Sequence, residues 1–150
     1  MKLSRVFLSL TMVMACAAAA PEKPWSVTVK TSGGIAGRGI GAWTISSDGN
    51  VTMRRMNGEE CTFALTDEEL RTISRLMAAA RPARWKESYV PENRCCDRIE
   101  YALELDVAGR ISATRWLDGP PEAPKDLSEL ANAIAGGEKS IRAESAERCR

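Results

Sequence analysis

Two turn signals, each followed by a short run of β-forming residues, constrain the fold more than any other feature of this sequence. Asp48-Gly49 separates residues 43–45 from residues 51–53, and an Asp-Gly pair favours the positive φ angles of a type I′ hairpin turn. Asn57-Gly58 repeats the signal before residues 61–64. The first half of the chain is therefore predicted to be an antiparallel meander.

Alternation of apolar and polar residues predicts further strands. Residues 25–29 alternate with the period of a half-buried strand, which is expected to end at residues 32–34. Residues 99–107 alternate over a longer stretch, with one apolar and one charged face. Ala108-Gly109 is expected to turn the chain, so that residues 110–117 pair back.

Two helices are predicted. Thr66 and Glu69 have the spacing of a capping box, and Pro82 is expected to stop the helix that they begin. A second helix is expected near Asp126, with Glu129 in the capping-box position. Residues 85–94 are expected to be a loop. The prediction is an α+β fold with an antiparallel sheet of about five strands, one principal packed helix and a short C-terminal helix.

The first 20 residues have the three-part form of a secretory signal: basic residues, an apolar run and a small-residue end. Residues 13–16 are similar to a bacterial lipobox, which predicts a lipoprotein signal of residues 1–15 and lipidation of Cys16. Residues 18–20 would instead suit ordinary signal peptidase. Either site leads to an exported protein, in the periplasm, at the outer membrane or secreted. The domain is predicted over residues 21–137, followed by a polar tail over 138–150 that either frays or is held by Cys149.

The sequence contains five cysteines, and Cys16 is either lipidated or removed with the signal. The other four are an even number, which suits two disulfide bonds in an oxidising compartment: Cys61, Cys95, Cys96 and Cys149. A bond between adjacent cysteines closes a strained ring. Cys95 and Cys96 are therefore each expected to pair with a distant partner, one with Cys61 and the other with Cys149. Four thiolates on zinc are the alternative, but the sequence lacks a CxxC pair.

The sequence contains no histidine, which removes the commonest general base and the commonest zinc ligand. The 21 basic residues nearly balance the 20 acidic ones, so a nucleic-acid partner is disfavoured. The carboxylates of Glu100, Glu104 and Asp106 are expected on the wet face of one strand. The prediction is a protein that is not an enzyme and has no metal or other cofactor.

The glycine-rich residues 33–41 match a phosphate-binding loop only loosely, because a strand and not a helix follows them. A plain flexible loop and a protein-contacting loop both remain open, and the apolar Ile35 and Ile40 favour contact. The four tryptophans are expected in the core, with Trp85 the nearest to a surface.

Residues 27–37 (VTVKTSGGIAG), the helix start LTDEEL, the strand DRIEYALELDVAGR and a closing helix with Leu127 and Leu130 together resemble the emfourin family. The resemblance covers residues 25–135 by order of elements. Its most specific part is residues 32–37, where the family typically has a Phe in place of Ile35. Members are small protein inhibitors of thermolysin-like metallopeptidases.

The resemblance implies a partner-binding loop that contacts such a peptidase, formed by Gly33, Gly34, Ile35, Ala36, Gly37 and Arg38. It predicts an exported, lipid-anchored inhibitor. The alternative is a non-catalytic envelope lipoprotein with a structural or interaction role and no protease target.

Overall fold

A computed structural model describes residues 23–33, 41–55, 57–91, 98–117 and 123–149. The predicted α+β class is confirmed: an antiparallel sheet carries helices on one face. The strands are β1 (Trp25–Gly33), β2 (Gly41–Ser46), β3 (Asn50–Arg54), β4 (Glu60–Ala64), β5 (Ile99–Val107) and β6 (Arg110–Leu117). The helices are α1 (Asp67–Ala79), α2 (Lys125–Ala135) and α3 (Ile141–Arg148), with a 3₁₀ turn at Pro82–Arg84.

The six strands lie in the order β4-β3-β2-β1-β5-β6. The first four form the predicted meander. β5 then returns from beyond α1 and pairs with β1 along its whole length, from Trp25 opposite Val107 to Gly33 opposite Ile99. This pairing places β1 at the centre of the sheet.

The two faces of the sheet differ sharply in polarity. The inner face carries Val27, Val29, Ile45, Leu103 and Leu105, all at most 1% exposed, and the helices cover it. The outer face is polar and includes a row of threonines on four neighbouring strands, Thr62, Thr52, Thr44 and Thr28. The alternation predicted for β1 and β5 is thus explained by one covered and one uncovered face.

Helix α1 begins with the predicted capping box. The Thr66 hydroxyl accepts a hydrogen bond from the Glu69 amide, and the Glu69 carboxylate accepts one from the Thr66 amide at 2.6 Å. Ile73 and Met77 are buried on its inner side. The helix ends just before Ala80, two residues ahead of Pro82, which cannot continue it.

Helix α2 also contributes to the core. Five of its eleven residues are buried: Leu127, Leu130, Ala131, Ile134 and Ala135. The capping box expected at Asp126 and Glu129 is wrong. Pro124 precedes the helix without a side-chain cap, and Glu129 lies 3.6 Å from Lys125.

The segment predicted to be a polar tail, residues 138–150, contains helix α3, which was not predicted. In α3 the buried residues are Ile141 and Ser145, and one of them is polar. The Ser145 hydroxyl accepts a hydrogen bond of 3.3 Å from the Trp43 indole and donates one of 2.7 Å to the Arg142 carbonyl. A hydroxyl group that forms hydrogen bonds can be buried with little loss of free energy. Helix α3 therefore packs against the core without an amphipathic sequence pattern.

A disulfide bond joins Cys61 on β4 to Cys149 at the end of α3, with 5.9 Å between their Cα atoms. The expected pairing of each of these cysteines with Cys95 or Cys96 is therefore wrong. Sequence could not reveal that the tail folds back to the edge of the sheet. Cys95 and Cys96 lie outside the described residues.

Turn geometry differs from the expectation at Asp48-Gly49. The Gly49 amide donates to the Ser46 carbonyl and Gly49 has φ +84°, but Ala108 is the only non-glycine among the described residues with a positive φ. This is a three-residue turn that ends in a glycine bulge. The type I′ geometry, with two positive φ angles, is found instead at Ala108 (φ 53°) and Gly109 (φ 82°).

The segment after α1 is more ordered than the loop predicted for residues 85–94. Ser88 forms a parallel bridge with Arg115, so residues 87–89 cover part of the outer edge of β6. Trp85 is half-buried against the core, and its indole donates to Asp126 at 3.1 Å. Trp25, Trp43 and Trp116 are buried in the core as predicted.

Candidate partner-binding site at the end of the central strands

The predicted partner-binding loop is attached to β1 and β2, the two strands at the middle of the sheet. Gly33 is the last residue of β1 and Gly41 is the first of β2. Pairing between these strands extends to Thr31 opposite Gly41. Gly34, Ile35, Ala36, Gly37 and Arg38 lie outside the described residues, as does Ile40.

Gly33 occupies a position that only glycine fits. Its φ is +86°, and a Cβ atom built there would lie 2.6 Å from the Arg98 carbonyl oxygen. A side chain would therefore strain the backbone and also collide with the strand beside it. The first residue of the predicted loop is therefore packed closely against the start of β5.

Gly41 is restricted by a side chain from its own strand. A Cβ at this position would lie 2.7 Å from Cη2 of Trp43, whose ring covers the glycine. Trp43 is 5% exposed, and the Arg142 guanidinium of α3 lies 5.5 Å from the centre of its ring. The tryptophan therefore links this end of the loop to α3.

A buried hydroxyl lies at the same end of the sheet. Thr31 is 3% exposed, and its Oγ1 has no hydrogen-bond partner among the described residues. Its neighbour across the strand pair is Tyr101, which stacks on Trp116 with 5.3 Å between ring centres. The inner face at this end of the sheet therefore combines stacked aromatic rings with the buried Thr31 hydroxyl.

The carboxylates with the clearest interactions lie away from this site. Arg148 contacts both Glu69, at 2.9 Å, and Glu144, at 2.5 Å. Burial is the largest single influence on Glu69 and raises its pKa, but hydrogen bonds from Thr66 and Arg148 together outweigh it and lower the pKa to about 2. A hydrogen bond shared with Glu69 raises the pKa of Glu144. This cluster fastens α3 to α1.

Asp126 is a second structural carboxylate that sequence reasoning did not identify in this role. One of its oxygens accepts from the Arg81 amide at 2.8 Å and from the Trp85 indole. Burial, the largest influence, raises its pKa, and these hydrogen bonds outweigh it and lower the pKa. No local sequence signal could reveal this contact, because Arg81 and Asp126 are 45 residues apart.

Glu100, Glu104 and Asp106 lie on the outer face of β5, as predicted. Glu100 is 4.0 Å from Arg115, and Asp106 accepts from the Gly109 amide at 2.7 Å. Within the described ranges, no group of three or more acidic or cysteine side chains is arranged to hold a metal ion.

No protein-family model matches the chain, and no curated protein matches it. The resemblance to emfourins therefore rests on the motif of residues 32–37 and on the order of elements. Among the residues that the structure describes, no helix is long and apolar enough to cross a membrane.

Proposed function

We propose that this protein is an exported, lipid-anchored envelope protein that binds and inhibits a thermolysin-like metallopeptidase through residues 33–41. The observation that carries the proposal is the attachment of this segment. Gly33 is paired with Ile99 on β5, and Gly41 is paired with Thr31 on β1. A segment with fixed ends loses less conformational freedom when a partner orders it.

The composition of the segment suits a peptidase partner. Four of its residues between positions 33 and 39 are glycine, which lets another backbone approach closely. Ile35 supplies an apolar side chain of the kind that the resemblance implies for the substrate pocket. A peptide in extended form can occupy such a cleft as a substrate does.

The proposal includes no catalytic step by this chain. Histidine is absent from the sequence, and Cys61 and Cys149 are bonded to each other, so neither is a nucleophile. Glu69 and Asp126, whose pKa values are lowered, are engaged in contacts between helices.

The test is inhibition of a purified thermolysin-like enzyme by the protein and by the variant Ile35→Asp. The variant places an unpaired charge in an apolar pocket, which should weaken inhibition by about 2–4 kcal/mol. Its melting temperature should remain close to that of the unchanged protein.

Ile111→Asp is the matched control. Ile111 is 66% exposed and lies beside the β5–β6 turn, at the other end of the sheet from Gly33. It should inhibit normally. Equal loss of inhibition in both variants, or unaltered inhibition by Ile35→Asp, would contradict the assignment of the site. Absence of any inhibition by the unchanged protein would leave the envelope interaction protein as the better description.

The envelope location has its own test. The mature protein is expected to begin at a lipidated Cys16 and to partition into detergent. Mass spectrometry that finds an unlipidated chain beginning at Pro21 would reject lipidation while retaining export.

A further inference from the structure

Five basic side chains form what we term the cationic band: Arg71, Arg75, Arg81, Arg84 and Lys86. It extends from the middle of α1 through the 3₁₀ turn to the residue after Trp85. Residues 70–86 contain these five basic residues and no acidic one. The rest of the chain has 16 basic residues against 20 acidic ones, so the band is the positive region of an otherwise negative protein.

The charges of the band are available to a partner. All five residues are exposed, and none forms an ion pair within the part of the chain that the structure describes. Lys86 lies over the Tyr89 ring at 5.8 Å. Asp126 binds the Arg81 amide and the Trp85 indole, and it forms no ion pair with the Arg81 guanidinium within the described ranges. Asp67 and Glu68 precede the band and Glu87 follows it.

The arrangement fits an extended anionic surface better than a small anion. Arg71 and Arg75 are one helical turn apart on the exposed side of α1, and the other three follow beyond its end. From Arg71 to Ala79, the last residue of α1, the helix rises about 12 Å, since each residue adds about 1.5 Å, and the other three basic residues lie beyond that end. Groups that bind a small anion converge on it, whereas these five are distributed along residues 71–86.

The band also begins where the N-terminal segment meets the fold. The Trp25 carbonyl accepts from the Ser47 amide at 2.9 Å, in the turn between β2 and β3. Gly49 in the same turn accepts from Leu65, and a Cβ on Gly49 would lie 3.3 Å from the Leu70 side chain. The start of β1 and the beginning of α1 therefore both lie beside the turn between β2 and β3. Arg71 directly follows Leu70 in the sequence.

We propose that the cationic band docks the protein on a surface of anionic phospholipid. From Cys16 to Lys23 the chain can span at most about 25 Å, so a lipid on Cys16 would keep this end of the fold at the membrane. A lipid chain combined with a basic surface gives much stronger membrane attachment than either alone. We choose lipid as the partner because of the proposed envelope location. The exposure of the five charged side chains does not depend on that proposal.

The experiment measures binding of the purified, unlipidated full chain to vesicles of phosphatidylcholine, with or without about a third phosphatidylglycerol. Residues 1–20, which include Lys2 and Arg5, are the same in every variant, so the change in the ratio of the two dissociation constants between variants reports the band. We expect binding to anionic vesicles to be at least about tenfold tighter and to weaken as salt is added.

The double variant Arg75→Gln/Arg84→Gln should weaken binding to anionic vesicles by roughly tenfold or more, because each cation near such a surface contributes about fivefold. The control Lys30→Gln/Lys139→Gln removes the same charge from exposed positions on the outer face and before α3. It should retain the affinity. Neither pair lies in residues 33–41, so inhibition of the peptidase should be unchanged in both variants.

Three results would overturn the proposal: equal binding to both vesicle types, equal loss of affinity in both double variants, or binding of polyglutamate in preference to anionic vesicles. Preferential binding of polyglutamate would indicate that the cationic band binds an acidic protein instead of a membrane. Since inhibition is measured separately, failure of the membrane proposal would leave the peptidase proposal intact, and the reverse also holds.

Discussion

Arg148, at the end of α3, donates a hydrogen bond of 2.9 Å to Glu69, the residue that closes the capping box of α1. The Glu69 carboxylate accepts from Thr66 on its other oxygen. The start of the first helix and the end of the last are thus joined by one side chain. Arg148 is also 5.2 Å from the centre of the Phe63 ring on β4.

This contact predicts a loss of stability in acid. The pKa of Glu69 is lowered from 4.5 to about 2 in the folded protein, so its contribution is complete above pH 4.5 and is lost as the pH falls towards 2. Glu69→Gln should flatten the decrease in the free energy of unfolding over this range. The exposed neighbour Glu68→Gln serves as the control and should keep the original slope. Urea unfolding at a series of pH values measures both, and an unchanged slope in Glu69→Gln would contradict the assignment.

The Cys61–Cys149 bond is predicted to be a major source of stability. It closes a loop with a sequence separation of 88, for which the chain-entropy estimate is about 4–5 kcal/mol. Cys61→Ser/Cys149→Ser should therefore unfold at much lower denaturant concentration. Hydrogen exchange should increase first in α3, which buries few apolar groups. Peptide mapping without reduction should recover Cys61 linked to Cys149, and a link from either to Cys95 or Cys96 would disprove this pairing.

Ala108 is predicted to be a site where substitution stabilises the fold. Its φ of 53° is unfavourable for a residue with a Cβ atom, whereas Gly and Asn adopt it readily. Ala108→Gly and Ala108→Asn should each increase the free energy of unfolding by about 0.5–1 kcal/mol. Thermal unfolding measures the change, and a lower melting temperature in both variants would show that the turn is not of type I′.

Gly33→Ala is predicted to cost more than the same change at Gly58. Both glycines have φ near +85°, but a Cβ on Gly58 meets no atom within 4 Å. Gly58→Ala should therefore cost about 1 kcal/mol from backbone strain alone, and Gly33→Ala about 3 kcal/mol because its Cβ also meets the Arg98 carbonyl. Denaturant titration compares the two. Equal losses would mean that the backbone around Gly33 moves aside without cost.

Features encoded by neighbouring residues were predictable. The Thr66 and Glu69 capping box depends on a spacing of three residues, and the alternation along β5 depends on a period of two. The class of turn at Asp48-Gly49 was not predictable, because one residue more or less in the loop exchanges a type I′ turn for a glycine bulge. The candidate site was predictable only as a glycine-rich segment. The attachment of its ends depends on the pairing of Gly33 with Ile99 and of Gly41 with Thr31.

By itself, then, the sequence determined the α+β class, the antiparallel hairpins, the start of α1 and which face of each strand is apolar. Only the tertiary structure decided that β5 pairs with β1, that Asp126 bonds to Arg81 and Trp85 instead of capping a helix, and that Cys149 reaches Cys61. The reason is distance along the chain. Turn angles and side-chain periods act over a few residues, whereas contacts between residues 41 to 88 positions apart depend on which surfaces the finished sheet and helices bring together.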